Sequence, residues 1–191
     1  MRKLHASALV TLDGVWQDPG GFGETGQGGW ANGYFNDEAV SDSMDQLAEA
    51  DTFLLGRTTY QLLSTAWSGA TGDYMEMIHA IPKLVASNTL HGPLGWNATV
   101  LSGDVVKEVA ELKQRPGKDI VVYGSGRLVR ALLRHKLIDS FKISIFPLVL
   151  GSGARLFPES HEGSEGFART DLHLEETKTL RSGVVALTYR S

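Results

Sequence analysis

The stretch from Asp119 to Asp139, DIVVYGSGRLVRALLRHKLID, constrains the chain more than any other. Ile120, Val121, Val122 and Tyr123 form a continuous apolar run, the pattern of a strand buried on both faces. Gly124, Ser125 and Gly126 follow, and Leu128, Val129, Leu132 and Leu133 then recur at helical spacing. A strand, a glycine turn and a helix in this order require a sheet covered by helices. The same order leaves unpaired backbone N–H groups at a helix N-terminus, where the dipole favours an anion. Two readings of the turn stand together: a tight backbone that needs glycine, or a cradle for phosphate. A Rossmann fingerprint would place a third glycine where Val129 stands, and a Walker loop would place Lys-Ser/Thr where Arg127-Leu128 stands. A nucleotide site here belongs to another class.

The rest of the chain repeats the theme. Residues 3–12 read as a central strand, ending in Thr11-Leu12-Asp13-Gly14. Asp13 is either an Asx-turn residue or a carboxylate at a strand end facing a cleft. Residues 14–34 form a glycine-rich loop bearing Trp16, Phe22, Trp30 and Tyr34. Either these rings form a flap over a flat ligand, or they patch the core edge or a subunit contact. Asn36 or Asp37 caps a helix to about Glu49, and Thr52–Leu55 is a buried strand. Gly56-Arg57-Thr58-Thr59-Tyr60 then turns into a second helix, to about Trp67. Thr58 is an N-cap with Arg57 in solvent, or both are phosphate ligands. A short helix is expected over Met75–Ala80, strands over Lys83–Ala86 and Thr99–Leu101, and a helix capped by Asp104 to about Gln114. After the central stretch come a strand at Ser140–Phe146, a loop at Pro147–Phe157, and a closing hairpin of Leu172–Thr179 and Val184–Tyr189. Strands alternate with helices early and stand alone late. The predicted sheet is therefore mixed and mostly parallel.

Composition narrows the function. The 191 residues suit one domain, 1–191, with a sizeable core. A net charge of −4 without a basic run argues against nucleic acid. The absence of cysteine excludes disulfides and thiolate chemistry and fits a cytoplasmic protein. The apolar part of the N-terminus is too short for a signal peptide, and the stretch from Leu84 to Gly103 is too polar for a membrane span. The six histidines show no HxH or HExxH spacing, so no metal site is expected, and no GxSxG elbow occurs. Anion-receptive turns and aromatics without a reactive side chain point to chemistry supplied by a cofactor.

Five segments occur in order: T-L-D-G at 11–14, L-L-G-R-T-T-Y at 54–60, K-L-V-A-S at 83–87, V-Y-G-S-G-R-L at 122–128 and I-F-P-L-V-L-G-S-G at 145–153. Together they resemble the reductase domain of riboflavin biosynthesis, the C-terminal domain of the bifunctional deaminase-reductase. Stand-alone relatives share it within the dihydrofolate reductase-like superfamily. The resemblance covers nearly the whole chain and implies a three-layer α/β/α sandwich around a mixed sheet, with NADPH across the carboxyl ends of its strands.

On that resemblance, Gly56, Arg57, Thr58 and Thr59 open a helix against the cofactor phosphates, with Arg57 toward the 2′-phosphate. Ser87 and Asn88 line the adenosine half. Gly124, Ser125, Gly126, Arg127 and Leu128 cradle the pyrophosphate. Thr11 and Asp13 lie near the nicotinamide and substrate, with Asp13 the candidate for substrate binding or proton relay. Dihydrofolate reductases place an acid in the helix after the aromatic loop, and Asp37 and Glu38 are the nearest acids to that region. The zinc-ligand cysteines of the attached deaminase have no counterpart here.

The expected function is therefore an NADPH-dependent reductase of a small heterocycle, pterin-like or pyrimidine-like, with Trp30 as a stacking lid. Family habit and the apolar 143–150 segment point to a homodimer. The alternative is a non-catalytic nucleotide-binding protein that retains the fold.

Overall fold

The computed structural model describes residues 1–158 and 169–191. Eight strands form one sheet: β1 (Leu4–Thr11), β2 (Ala50–Gly56), β3 (Lys83–Ala86), β4 (Ala98–Leu101), β5 (Asp119–Tyr123), β6 (Ser140–Phe146), β7 (His173–Thr179) and β8 (Val185–Arg190). Their order is β4-β3-β2-β5-β1-β6-β8-β7. The first six are mutually parallel, and β8 and β7 close the sheet antiparallel. The mixed, mostly parallel sheet and the terminal hairpin match the sequence expectation.

Among the described residues five α-helices cover it: α1 (Asp37–Ala48), α2 (Arg57–Trp67), α3 (Asp73–Ala80), α4 (Val105–Gln114) and α5 (Gly126–Arg134). Right-handed crossovers decide which face each one takes. The chain first steps outward from β1 to β2 and β3, and α1, α2 and α3 pack on one face against Phe53, Leu55, Val85 and Val121. It then steps back from β4 through β5 to β6, so α4 and α5 cover the opposite face against Ala6, Val10, Leu54, Ile120 and Val122. Strand alternation serves both layers: Phe53 and Leu55 point one way, Leu54 the other, and none is exposed. Burying each such side chain contributes about 1.5–3 kcal/mol.

The caps follow the sequence. Asn36 accepts from the Ala39 N–H at 3.1 Å, and Asp104 accepts from Val106 and Lys107 at 3.0 and 3.2 Å. One cap differs. The N-cap of α2 is Gly56, and Thr58 lies inside the first turn with no capping bond. A side-chain cap at Thr58 is thereby ruled out.

β2 and β5 are neighbours, yet α2 leaves toward one face and α5 toward the other. A crevice must open at the carboxyl ends where the connections diverge, the usual ligand position in such sheets. Gly56 and the Gly124–Gly126 turn lie at that divergence.

Candidate functional site

A cavity of about 1350 Å³ begins at this crevice and runs over the α1/α3 side of the sheet. That exceeds the ~300–1,000 Å³ usual for a pocket holding one drug-sized ligand. Its rim is built from the two glycine turns, which are stitched together: the Gly56 N–H donates to Ser125 Oγ at 2.9 Å, and the Ser125 N–H donates to Thr59 Oγ1 at 3.1 Å. Gly124 and Ser125 both take positive φ, at +57° and +56°, which turns β5 sharply into α5. Neither α2 nor α5 has a side-chain cap at its N-terminus, so first-turn N–H groups of both helices stay open to the cavity. Arg57, Arg127, Arg130 and Arg155 add positive charge to the cavity lining. Burial, then the neighbouring Arg127 and Arg134 charges, lowers the pKa of Arg130.

At one end Arg57 donates to Thr89 Oγ1 at 3.2 Å, beside Ser87 and Asn88. All of Gly56, Arg57, Thr58, Thr59, Ser87, Asn88, Gly124, Ser125, Gly126, Arg127 and Leu128 line the one cavity. The structure brings together every residue assigned to the two turns and the β3 end.

The 14–34 loop forms the opposite wall, organised by one residue. Asp18 is 1% exposed at φ +52°, and its carboxylate accepts from the N–H groups of Phe22, Glu24 and Thr25 at 2.6, 3.0 and 3.1 Å. Its own carbonyl accepts from Gly29 at 2.9 Å. A side chain at Gly28 would run into that carboxylate, which explains a glycine there. The loop presents Trp16 and Phe22 to the cavity. The Trp16 indole lies against the glycine turn: a Cβ at Gly126 would sit 2.7 Å from its ring. Trp16 Nε1 is buried and has no hydrogen-bond partner among the described residues.

The floor lies on the α1/α3 side of the sheet. Asp42 and Gln46, one helical turn apart on α1, face Lys142 and Ser144 of β6, Ser7 of β1, and Tyr74 and Tyr123. Asp42 Oδ2 lies 2.6 Å from Lys142 Nζ, and its Oδ1 lies 2.8 Å from Lys178 Nζ of β7. Burial works to raise the Asp42 pKa, but the hydrogen bonds and charges of the two lysines outweigh it and hold the group below the ordinary carboxylate value. Burial pushes Tyr74 up to about 12, and burial with the Tyr74 and Asp42 charges raises Tyr123 as well. The Tyr123 hydroxyl donates to Gln46 Oε1 at 3.4 Å.

Three assigned residues lie away from the cavity. Thr11 and Asp13 lie outside the cavity lining. Thr11 Oγ1 donates to Asp13 Oδ1 at 2.6 Å and accepts from the Val15 N–H at 3.0 Å. Asp13 also accepts from Leu150 and Gly151 at 3.3 and 2.9 Å, pinning the 147–157 loop to the end of β1. The Thr11 hydrogen bond and those backbone donors lower its pKa to about 2. Trp30 also lies outside the cavity lining. Its ring meets Phe146 edge-on at 5.2 Å, its Nε1 donates to the Gln17 carbonyl at 2.8 Å, and it packs on a small cluster with Ala31 and Leu180. It patches the core edge. Asp37 and Glu38 are also outside the lining: Glu38 accepts from the Arg181 N–H, and Asp42, one turn on, is the α1 carboxylate in the cavity.

Sequence reasoning missed Asp42 and Lys142. A signal existed in the β6 run S-F-K-I-S-I-F, where Lys142 and Ser144 alternate with Phe141, Ile143 and Ile145. A lysine on a covered sheet face requires a partner, and in-register Ser7 on β1 widens the same polar stripe.

The family model described as the RibD C-terminal domain matches residues 2–186. The chain belongs to this family. The RibD C-terminal domain match spans both glycine turns and the floor. The uncharacterized protein YyaP of Bacillus subtilis (strain 168) is 29% identical, over 98% of this chain and 94% of its own. Among solved structures, a putative riboflavin biosynthesis protein from Shewanella sp. PV-4 superposes with a TM-score of 0.75 at 21% identity, covering 98% of each chain. The dihydrofolate reductase of Enterococcus faecalis, solved with NADP(H), superposes with a TM-score of 0.60 at 12% identity, covering 98% of this chain and 95% of that one. The fold is dihydrofolate reductase-like.

Proposed function

We propose that residues 1–191 act as one NADPH-dependent reductase domain whose substrate is a small heterocycle, pterin-like or pyrimidine-like. The observation that carries this reading is the convergence of two uncapped helix N-termini and four arginines on one cavity that continues to a polar floor. The residues present fit the cofactor: open N–H groups and arginine forks suit phosphates, and the unpartnered Trp16 Nε1 is a donor awaiting an acceptor. Gly124 to Leu128 and Gly56 to Thr59 would hold the pyrophosphate. Arg57 with Ser87, Asn88 and Thr89 would take the 2′-phosphate end. Bound there, a reduced nicotinamide supplies hydride, while the chain orients the ring and keeps water out. The floor of Asp42, Lys142, Ser7, Tyr74 and Tyr123 would receive the substrate ring.

The test is NADPH oxidation across a panel of pterins, pyrimidines and quinones. Turnover of a pterin or pyrimidine supports the reading. One observation favours the alternative of a nucleotide-binding protein without turnover: both oxygens of Asp42 are held by ammonium groups, so this floor carboxylate is not a free acid. Tight NADPH binding without turnover on any substrate would select it. A homodimer accords with Leu12, Val149 and Leu174, which are 68, 65 and 54% exposed, and light scattering would test it. The cysteine-free chain accords with a cytoplasmic location.

A further inference from the structure

Lys142 and Asp42 meet across the cavity floor from β6 and α1, while Lys178 reaches the same carboxylate from β7 and is not part of the cavity lining. The Asp42 and Lys142 side chains are 15 and 16% exposed, so water screens their charges weakly. A lone carboxylate at this position would attract rings that carry positive charge. Lys142 instead neutralises it from the cavity side, while Lys178 holds it from behind, its own charge offset by Glu38 and Asp45. Lys142 is the cation a ligand meets first. Ser7 stands opposite it in the β1/β6 register, and Ser144 lies two residues along the same face.

We propose that Lys142 sets the charge selectivity of the ring pocket: by neutralising Asp42 it turns away cationic, amino-substituted rings and admits neutral or anionic ones. The ring-shaped ligand rests on the reductase reading above, but the selectivity is a property of binding and needs no turnover. The physical basis is a comparison of two charges at similar reach. A cationic ring gains the Asp42 attraction only by displacing Lys142. A ring that presents a carbonyl oxygen meets the Lys142 ammonium as a charge-assisted acceptor, with nothing displaced.

The test uses two probes of one size and shape, 2,4-dioxopteridine and 2,4-diaminopteridine. Each is titrated by its own fluorescence into the full chain at a mildly acid pH where the diamino ring carries a proton. Wild type is expected to bind the dioxo ring tighter by at least about tenfold, the scale of one weakly screened charge contact. Lys142→Met should erase or reverse the ratio, and Lys142→Arg should keep it. Adding Asp42→Asn to Lys142→Met should remove the newly gained affinity for the cation. If Lys142→Met melts early, Lys142→Gln carries the same comparison. An unchanged ratio in the Lys142 variants would overturn the proposal, as would a wild type that prefers the cation or binds neither ring. NADPH titration of the same samples separates the two readings. NADPH binding without ring selectivity sinks this inference alone, and ring selectivity without NADPH binding sinks the reductase reading alone.

Discussion

The two ends of the cavity are built in different ways. The rim is backbone: two strand–turn–helix units, 54–60 and 122–128, each contiguous in sequence, offer N–H groups at open helix ends. The floor is side chain: Asp42 and Lys142 come from α1 and β6, with Lys178 of β7 behind them, and meet only when the sheet has closed. A site made of backbone leaves a local trace in the sequence, because glycines must stand where the chain turns. A site made of distant side chains leaves almost none. The rim also suits any phosphate-bearing ligand, whereas the floor can discriminate one ring from another.

Substitutions can break that division at either end. Gly126→Val should have the largest effect. Its side chain would strike the Trp16 indole and the Arg130 guanidinium, whose nearest atoms lie 2.7 and 3.1 Å from a Cβ there. NADPH affinity should fall by about a hundredfold or more, the equivalent of ~3 kcal/mol of charge-assisted hydrogen bonds. Far-UV circular dichroism should change little. Normal NADPH binding by this variant would reduce the central turn to backbone punctuation.

Arg57→Ala should come next, weakening NADPH by roughly tenfold while leaving NADH nearly untouched, because one exposed forked donor to a phosphate is lost. Equal loss for both nucleotides would remove Arg57 from the 2′-phosphate.

Asp13→Asn should have the smallest effect on function and act on stability instead. The folded-state pKa is depressed to about 2, so the carboxylate contributes stability above the unfolded value, and that contribution is lost as pH falls through 2. The melting temperature of the variant should lie below wild type at neutral pH, with the gap closing in acid. A loss of turnover without a change in melting would return Asp13 to the chemistry.

These expectations show where the sequence was legible. The sheet class, the α1 and α4 caps and both turns followed from apolar runs, capping residues and glycines, all local signals. Asp13 was not legible because T-L-D-G has the same composition whether its carboxylate faces a cleft or fastens Leu150 and Gly151 137 or more residues away. Trp30 misled because a glycine-rich aromatic loop does not announce which ring faces inward. That was decided by Asp18, whose three backbone contacts fold the loop so that Trp16 and Phe22 meet the cavity and Trp30 meets Phe146. The α1 acid lay one turn beyond the acids nearest the helix start, since the helix phase places Asp42 and Gln46 toward the sheet.

The most direct measurement is titration of the purified chain with NADPH, with NADH as control, followed by nucleotide fluorescence and by quenching of the tryptophans. The account predicts saturable binding with NADPH favoured by about tenfold or more, the contribution of a forked arginine on a phosphate. Absence of saturable binding, or equal affinity for the two nucleotides, would contradict it.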